Sequence, residues 1–215
     1  MNYYKYYDKI IRSLTTIRTL QKQEDCDNRI PVIDLEVSVG GDIGYAPSQT
    51  AEISECDDFF LLSICGDPIY HIYKDGKRIK AFTKDVTYVE DSIINLPAAL
   101  YCFMCDRLLL HCSSIVINNG VYALVGNKGL GKTTLSLMLS EHYRLLGDDT
   151  LMVCGVNSAG NIEVVPSRTL SKLTAQTMSV FSENILEVSD FVLNSQKNYA
   201  VFKIRYYMKM LFDIN

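Results

Sequence analysis

The residues best equipped for chemistry fall in one short stretch, Gly126-Asn127-Lys128-Gly129-Leu130-Gly131-Lys132-Thr133-Thr134. It fits the pattern G-x-x-x-x-G-K-[ST] without a mismatch. Glycines let the backbone curl so that successive N–H groups face inward, which suits an anion. A helix beginning at about Lys132 turns its positive end toward the same place. In such a loop Lys132 bridges the outer phosphates of a nucleotide, the Thr133 hydroxyl holds Mg²⁺, and the remaining loop residues, Thr134 included, line the phosphates. The plain alternative is a glycine-rich turn that binds nothing.

Two further groups are expected at the same end of the sheet. With Asn119-Gly120 as central turn residues, Asn118 pairs with Val121 and Ser114 with Val125, and His111 falls beside Lys128. A structural histidine is the ordinary alternative. The second group is Asp148-Asp149. A helix from Lys132 to about Glu141 carries the chain roughly 15 Å away from the loop. The strand from Tyr143 to Gly147 then returns about the same distance at roughly 3.3 Å per residue. Two adjacent carboxylates arrive back at the level of the loop, where phosphate chemistry needs them for Mg²⁺ and for proton removal. A polar turn is the bland reading of that pair. Arg168, after Pro166-Ser167, is either a further cation for the site or a surface residue.

The elements that must position these groups read as follows. Val121 to Val125 is an apolar, β-rich run before the loop, and Leu135, Met138, Leu139 and His142 follow it at helical spacing. The strand Arg107 to Ile117 turns directly into the strand that feeds the loop, so an antiparallel hairpin is expected there. Asn95 reads as a helix N-cap with Pro97 in the first turn, and that helix runs to about Asp106. Before it the texture is β: Val32 to Val39 alternates, Phe59 to Cys65 is a buried-strand candidate, and His71 to Phe82 is a hairpin across Asp75-Gly76. Thr87 to Glu90 reads as a further short strand. Tyr3, Tyr6, Ile10, Ile11, Leu14 and Ile17 fit either the stripe of a short helix or a first strand, and Gln21 to Arg29 reads as a polar, exposed connection. After the carboxylates, Thr150 to Cys154 and Ile162 to Val165 form a hairpin. Leu170, Leu173 and Met178 suggest a helix, Tyr199 to Tyr206 a strand, and Tyr207 to Phe212 a final apolar piece. The fold class is therefore α/β with a mixed, partly antiparallel sheet. A β-rich part, residues 1–95, precedes a nucleotide-loop core, residues 96–215.

Composition narrows the partners. The chain has 215 residues, 48% of them hydrophobic and 21% charged, as in an ordinary globular protein. A net charge of −4 without a Lys/Arg run gives nucleic acid no electrostatic attraction. The longest apolar run, Leu96 to Met104, is too short to span a membrane. Seven cysteines without framework spacing, behind a start that lacks an apolar leader, point to reduced thiols and a cytoplasmic location. Cys102-x-x-Cys105 lies in an apolar run and reads as core rather than as a metal site.

Leu110-His111-Cys112-Ser113-Ser114-Ile115-Val116-Ile117, the Asn-Gly turn, the loop with its helix, and Arg144-Leu145-Leu146-Gly147-Asp148-Asp149 together resemble the catalytic core of HPr kinase/phosphorylase and its smaller kinase-like relatives. The resemblance covers residues 108–152. It implies a core related to phosphoenolpyruvate carboxykinase that uses ATP and Mg²⁺ to phosphorylate a serine hydroxyl. It also implies roles: Lys132 and the loop amides on the phosphates, Thr133 and Asp149 on Mg²⁺, and Asp148 as base with His111 beside it. The chain departs from the family at Lys128, usually Ser, and at Thr133-Thr134, usually Ser-Glu. The family's later Arg/Gly-rich signature has no equivalent here, which argues against phosphorolysis and against HPr as substrate. The expected activity is a kinase acting on Ser or Thr of a peptide or small protein. A non-catalytic nucleotide-binding regulator and a small-molecule kinase stay open, as does a homo-oligomer.

Overall fold

The computed structural model describes residues 1–24, 30–40, 50–64, 67–127, 129–167, 170–174, 186–188 and 199–204. Lys128, Arg168, Met178 and Tyr207 to Phe212 lie outside them. Contacts divide the chain into two units, Met1–Leu108 and Leu109–Asn215.

In the first unit the order is β1 (Asn2–Tyr6), β2 (Lys9–Ser13), β3 (Lys22–Gln23), β4 (Val32–Val39), β5 (Ala51–Glu55), β6 (Phe59–Ile64), β7 (Asp67–Tyr73), β8 (Arg78–Thr83), α1 (Val86–Ser92) and α2 (Leu96–Met104). The eight strands form one sheet in the order β3-β1-β2-β4-β8-β7-β6-β5. It is mixed: β2, β4 and β8 run parallel, and the other neighbours are antiparallel. Of the two readings of the N-terminal stretch, the strand holds. Alternation in β4 works as the pattern demands, with Ile33 and Leu35 buried while Asp34 faces Arg12 across the strands at 2.6 Å.

The β7–β8 hairpin pairs Ile72 with Ile79, which centres the turn on Asp75-Gly76. Only Gly76 of the two has a positive φ, at 67°, so the connection is not a primed turn. Residues 87 to 90 are helical rather than extended. Asp85 sits at the N-cap with its carboxylate accepting from the Thr87 amide at 2.9 Å, and Val89 is fully buried on the inner side. Cap and burial outweigh the strand preference of Val86 and Thr87. Asn95 occupies the N-cap position of α2 but makes no capping bond with its side chain. This helix, placed by sequence with the second part, packs on β7 and belongs to the first unit. Cys102 is buried in it, whereas Cys105 at its end is exposed.

Tyrosines tie this unit together. Tyr6 and Tyr7 donate to the Ile93 and Ile94 carbonyls at 2.8 and 3.1 Å, where α1 gives way to α2. The Ile17 amide donates to Tyr4 at 3.0 Å, and the Tyr70 hydroxyl meets Ser92 at 2.6 Å. Burial pushes the Tyr6 phenol well above its ordinary range, so it stays a donor.

The second unit contains β9 (Leu108–Ile117, apart from its first residue), β10 (Gly120–Val125), α3 (Lys132–Leu139), β11 (Arg144–Gly147), β12 (Thr150–Val156), β13 (Ile162–Pro166), β14 (Leu170–Thr174), β15 (Leu186–Val188) and β16 (Tyr199–Ile204). One sheet has the order β10-β9-β12-β13, with β11 also paired to β9. The three-stranded sheet β14-β16-β15 is antiparallel. Leu170 and Leu173 thus lie in a strand, not a helix, because β14 finds a partner in β16. Among the described residues no helix is long and apolar enough to cross a membrane.

The β9–β10 hairpin is antiparallel as expected, but its register differs. Gly120 pairs with Ile117 and Val125 with Cys112. The turn residues are Asn118 and Asn119, with φ of 48° and 64°. Asparagine tolerates the left-handed region, so Asn-Asn makes the two-residue turn and leaves Gly120 to open the strand.

Replacing Tyr6 by Phe leaves the buried Ile93 carbonyl without its donor. The expected loss is about 1–3 kcal/mol of stability, read as a lower urea midpoint at unchanged slope. An unchanged midpoint would mean that the bond contributes nothing.

Candidate functional site

β10 ends at Val125, opposite Cys112 of β9, and the loop follows. Continuing their register one step past Val125 and Cys112 places His111 level with Gly126, the first loop residue, rather than beside Lys128. The histidine stays at the loop end of the sheet. Beyond Gly126 the backbone takes two left-handed steps, at Gly129 (φ 88°) and Gly131 (φ 76°), and α3 starts at Lys132. Those two conformations are why glycine stands at both positions. Gly131 forms the N-cap and offers no side chain, so the first-turn amides of α3 gain no capping bond from it. The Lys132 ammonium folds back over the loop and donates to the Gly126 and Asn127 carbonyls at 2.8 and 3.2 Å.

The two carboxylates diverge. Asp148 is buried, and its Oδ1 accepts from Thr133 Oγ1 at 3.0 Å and from Ser113 Oγ at 2.5 Å. Asp149 takes a left-handed backbone with φ 85°, costing about 1 kcal/mol or more for a residue with a side chain. Its carbonyl accepts from the Cys112 amide at 3.1 Å, which fixes it to β9. Its carboxylate lies 3.5 Å from His111 Nδ1, where the imidazole is exposed. The main-chain twist at Asp149 therefore turns one carboxylate inward to the start of α3 and the other outward to the histidine.

The expected groups come together, yet their pairing differs from the one the resemblance implies. Thr133 is bonded to Asp148 rather than Asp149, and His111 lies beside Asp149 rather than Asp148. Of the loop, all but Lys128 is described. Thr134 is on the first turn of α3, and no hydrogen bond of its side chain marks it out. Ser113 is the residue that sequence reasoning passed over. The signal was there: apart from His111, Ser113-Ser114 is the polar break in an apolar strand, and buried hydroxyls need acceptors.

No group of three or more His, Cys, Asp or Glu side chains capable of holding a metal occurs among the described residues. A cation held between a loop hydroxyl, one carboxylate, water and substrate phosphates needs no such cluster. Thr133 Oγ1 and Asp148 are hard oxygens, adjacent and partly desolvated, so the donor set fits Mg²⁺.

No family model matches this chain. Nor does any curated protein match it in sequence.

Cys112, beneath the site, is pushed up to about 11 by burial and then by the Asp148 charge, against a smaller lowering by Lys132. The ordinary thiol titrates at 9.0, so between 9.0 and about 11 the folded state holds a proton that the unfolded state has lost. Stability should fall as pH rises through that window. The loss is at most about 2–3 kcal/mol. Urea titrations at both ends of the window should show a drop for the wild type and a smaller one for Cys112→Ala. Equal drops would remove Cys112 as its source.

Proposed function

We propose that the second unit is the core of an ATP- and Mg²⁺-dependent phosphotransferase acting on a hydroxyl, most simply a Ser or Thr side chain of a peptide or small protein. The observation that carries this reading is the buried Asp148 carboxylate on the hydroxyl of Thr133, directly after the loop lysine. A loop that merely turns has no use for a buried carboxylate at its exit. The resemblance of residues 108–152 to HPr kinase/phosphorylase-like cores supports the same activity, and the chain's departures from that family favour a different acceptor from HPr.

In this reading the loop amides and the start of α3 hold the phosphates. Lys132 exchanges the Gly126 and Asn127 carbonyls for the outer phosphate oxygens. Thr133 and Asp148 hold the cation, which when bound neutralises charge on the phosphates. Asp149, with His111 against it, stands where the acceptor hydroxyl can lose its proton. The acceptor oxygen forms the new bond to the γ-phosphorus as the bond to the bridging oxygen breaks, and ADP leaves with that oxygen. Most of the rate comes from positioning and charge neutralisation.

Two measurements test the reading. In calorimetry, Lys132→Ala should weaken ATP binding by about 1.5–3 kcal/mol, the worth of a charge-assisted contact; unchanged affinity would exclude the phosphate role. In radiolabel transfer to peptide and small-molecule acceptors, Asp149→Asn should slow the rate about 10²–10⁴-fold. Asp148→Asn should instead raise the Mg²⁺ requirement. A wild type that binds ATP and transfers phosphate to no acceptor would be a nucleotide-binding regulator, and transfer to small molecules alone would exclude the peptide acceptor.

A further inference from the structure

β9 carries two successive serines, Ser113 and Ser114, and both are buried. Alternation along the strand sends them to opposite faces of the sheet, where they meet acceptors of different kinds. The Ser114 hydroxyl donates to the Gly147 carbonyl at 3.2 Å, a side-chain-to-main-chain bond that joins β9 to β11. Ser113 donates at 2.5 Å to Asp148 Oδ1, the oxygen that Thr133 Oγ1 also reaches at 3.0 Å. Three oxygens from β9, from the residue after β11 and from the first turn of α3 thus converge.

The three are not equivalent. Thr133 sits in the first turn of α3, at the end that would face the phosphates, and it is only half-buried. Ser113 is 1% exposed, on a strand with paired neighbours on both sides. It is the fixed end of the chain of bonds. A carboxylate can rotate about two side-chain bonds, and an acceptor oxygen pinned from a rigid strand loses that freedom. Hydrogen-bond partners standing behind a metal's ligands commonly control affinity in this way.

We infer that Ser113 is a positioning residue for the divalent cation, acting through Asp148. The inference rests on the phosphotransferase reading of the same site. Ser113 holds the carboxylate turned toward Thr133 before any cation arrives, so binding does not have to order it.

The test is the Mg²⁺ dependence of ATP binding to the full chain, measured by calorimetry at graded Mg²⁺. Ser113→Ala should raise the half-saturating Mg²⁺ concentration about 10–100-fold. Ser114→Ala removes an equally buried hydroxyl that does not touch Asp148, and it should leave the Mg²⁺ dependence where it was. In an Asp148→Asn background, Ser113→Ala should add no further shift. Ser113→Cys, close in volume but a weaker donor, should fall between wild type and Ser113→Ala, and it replaces the alanine variant if that protein does not fold. Wild-type Mg²⁺ dependence in the Ser113 variants overturns the inference and leaves the activity standing. So does an equal shift in Ser114→Ala, or an undiminished one in the Asp148→Asn background. A wild type whose ATP binding ignores Mg²⁺ overturns the inference and the reading of the site together.

Discussion

A carboxylate taken out of water must be satisfied by donors, or its burial costs several kcal/mol. In the second unit that requirement falls on Asp148, and the arrangement around it follows from meeting it. The donors come from elements far apart in sequence: Ser113 on β9 and Thr133 on α3. Ser167, just past β13, adds a long contact to the Asp148 carbonyl at 3.5 Å. Satisfying one charge therefore fixes the central strand, the loop helix and the β11–β12 connection against one another. These polar residues stand in positions the hydrophobic pattern would assign to core because they satisfy this charge.

The first unit solves a comparable problem with neutral groups. Its core is rich in tyrosine, and each buried phenol that reaches α1 or the link to α2 ends on a partner there. A phenol brings a large apolar ring and one polar handle. With Phe in these places the junction carbonyls at Ile93 and Ile94 would lose these phenol donors, and with smaller residues the core would lose filling. The fourteen tyrosines and absent tryptophan, uninterpretable as composition, are in part this device.

How legible all this is in the sequence depends on the range of the interaction that decides each point. The loop, the helix after it and the hairpin before it are local, and each was readable from its residues. The register was readable only to within two positions, because two consecutive asparagines compete with Asn-Gly for the turn. Residues 87 to 90 look like a strand by propensity, and the deciding group is the Asp85 cap just outside them. The strand nature of residues 170–174 comes from β16, some thirty positions further on. At the site, the sequence places both aspartates at the loop but not which one faces Thr133. That is settled by the left-handed backbone at Asp149, a conformation no side-chain pattern announces. For Ser113 the polar pair in the strand is visible in the sequence, but the partner it needs lies 35 positions away and is not.

The tight turn at Asn118-Asn119 has a consequence for how the unit assembles. A two-residue connection closes at little entropic cost, and hairpins of this kind form in about 1–10 μs. β9 and β10 can therefore pair early and bring His111 and Gly126 level with each other before the rest of the unit is in place. The bond from Ser113 to Asp148 must close a loop of 35 positions, through α3 and β11, and waits for them. The short-range pairing that frames the loop therefore has the lower closure cost, and the bond to Asp148 the higher. A chain caught between those stages would carry the glycine-rich loop without Asp148 in place beside Ser113 and Thr133.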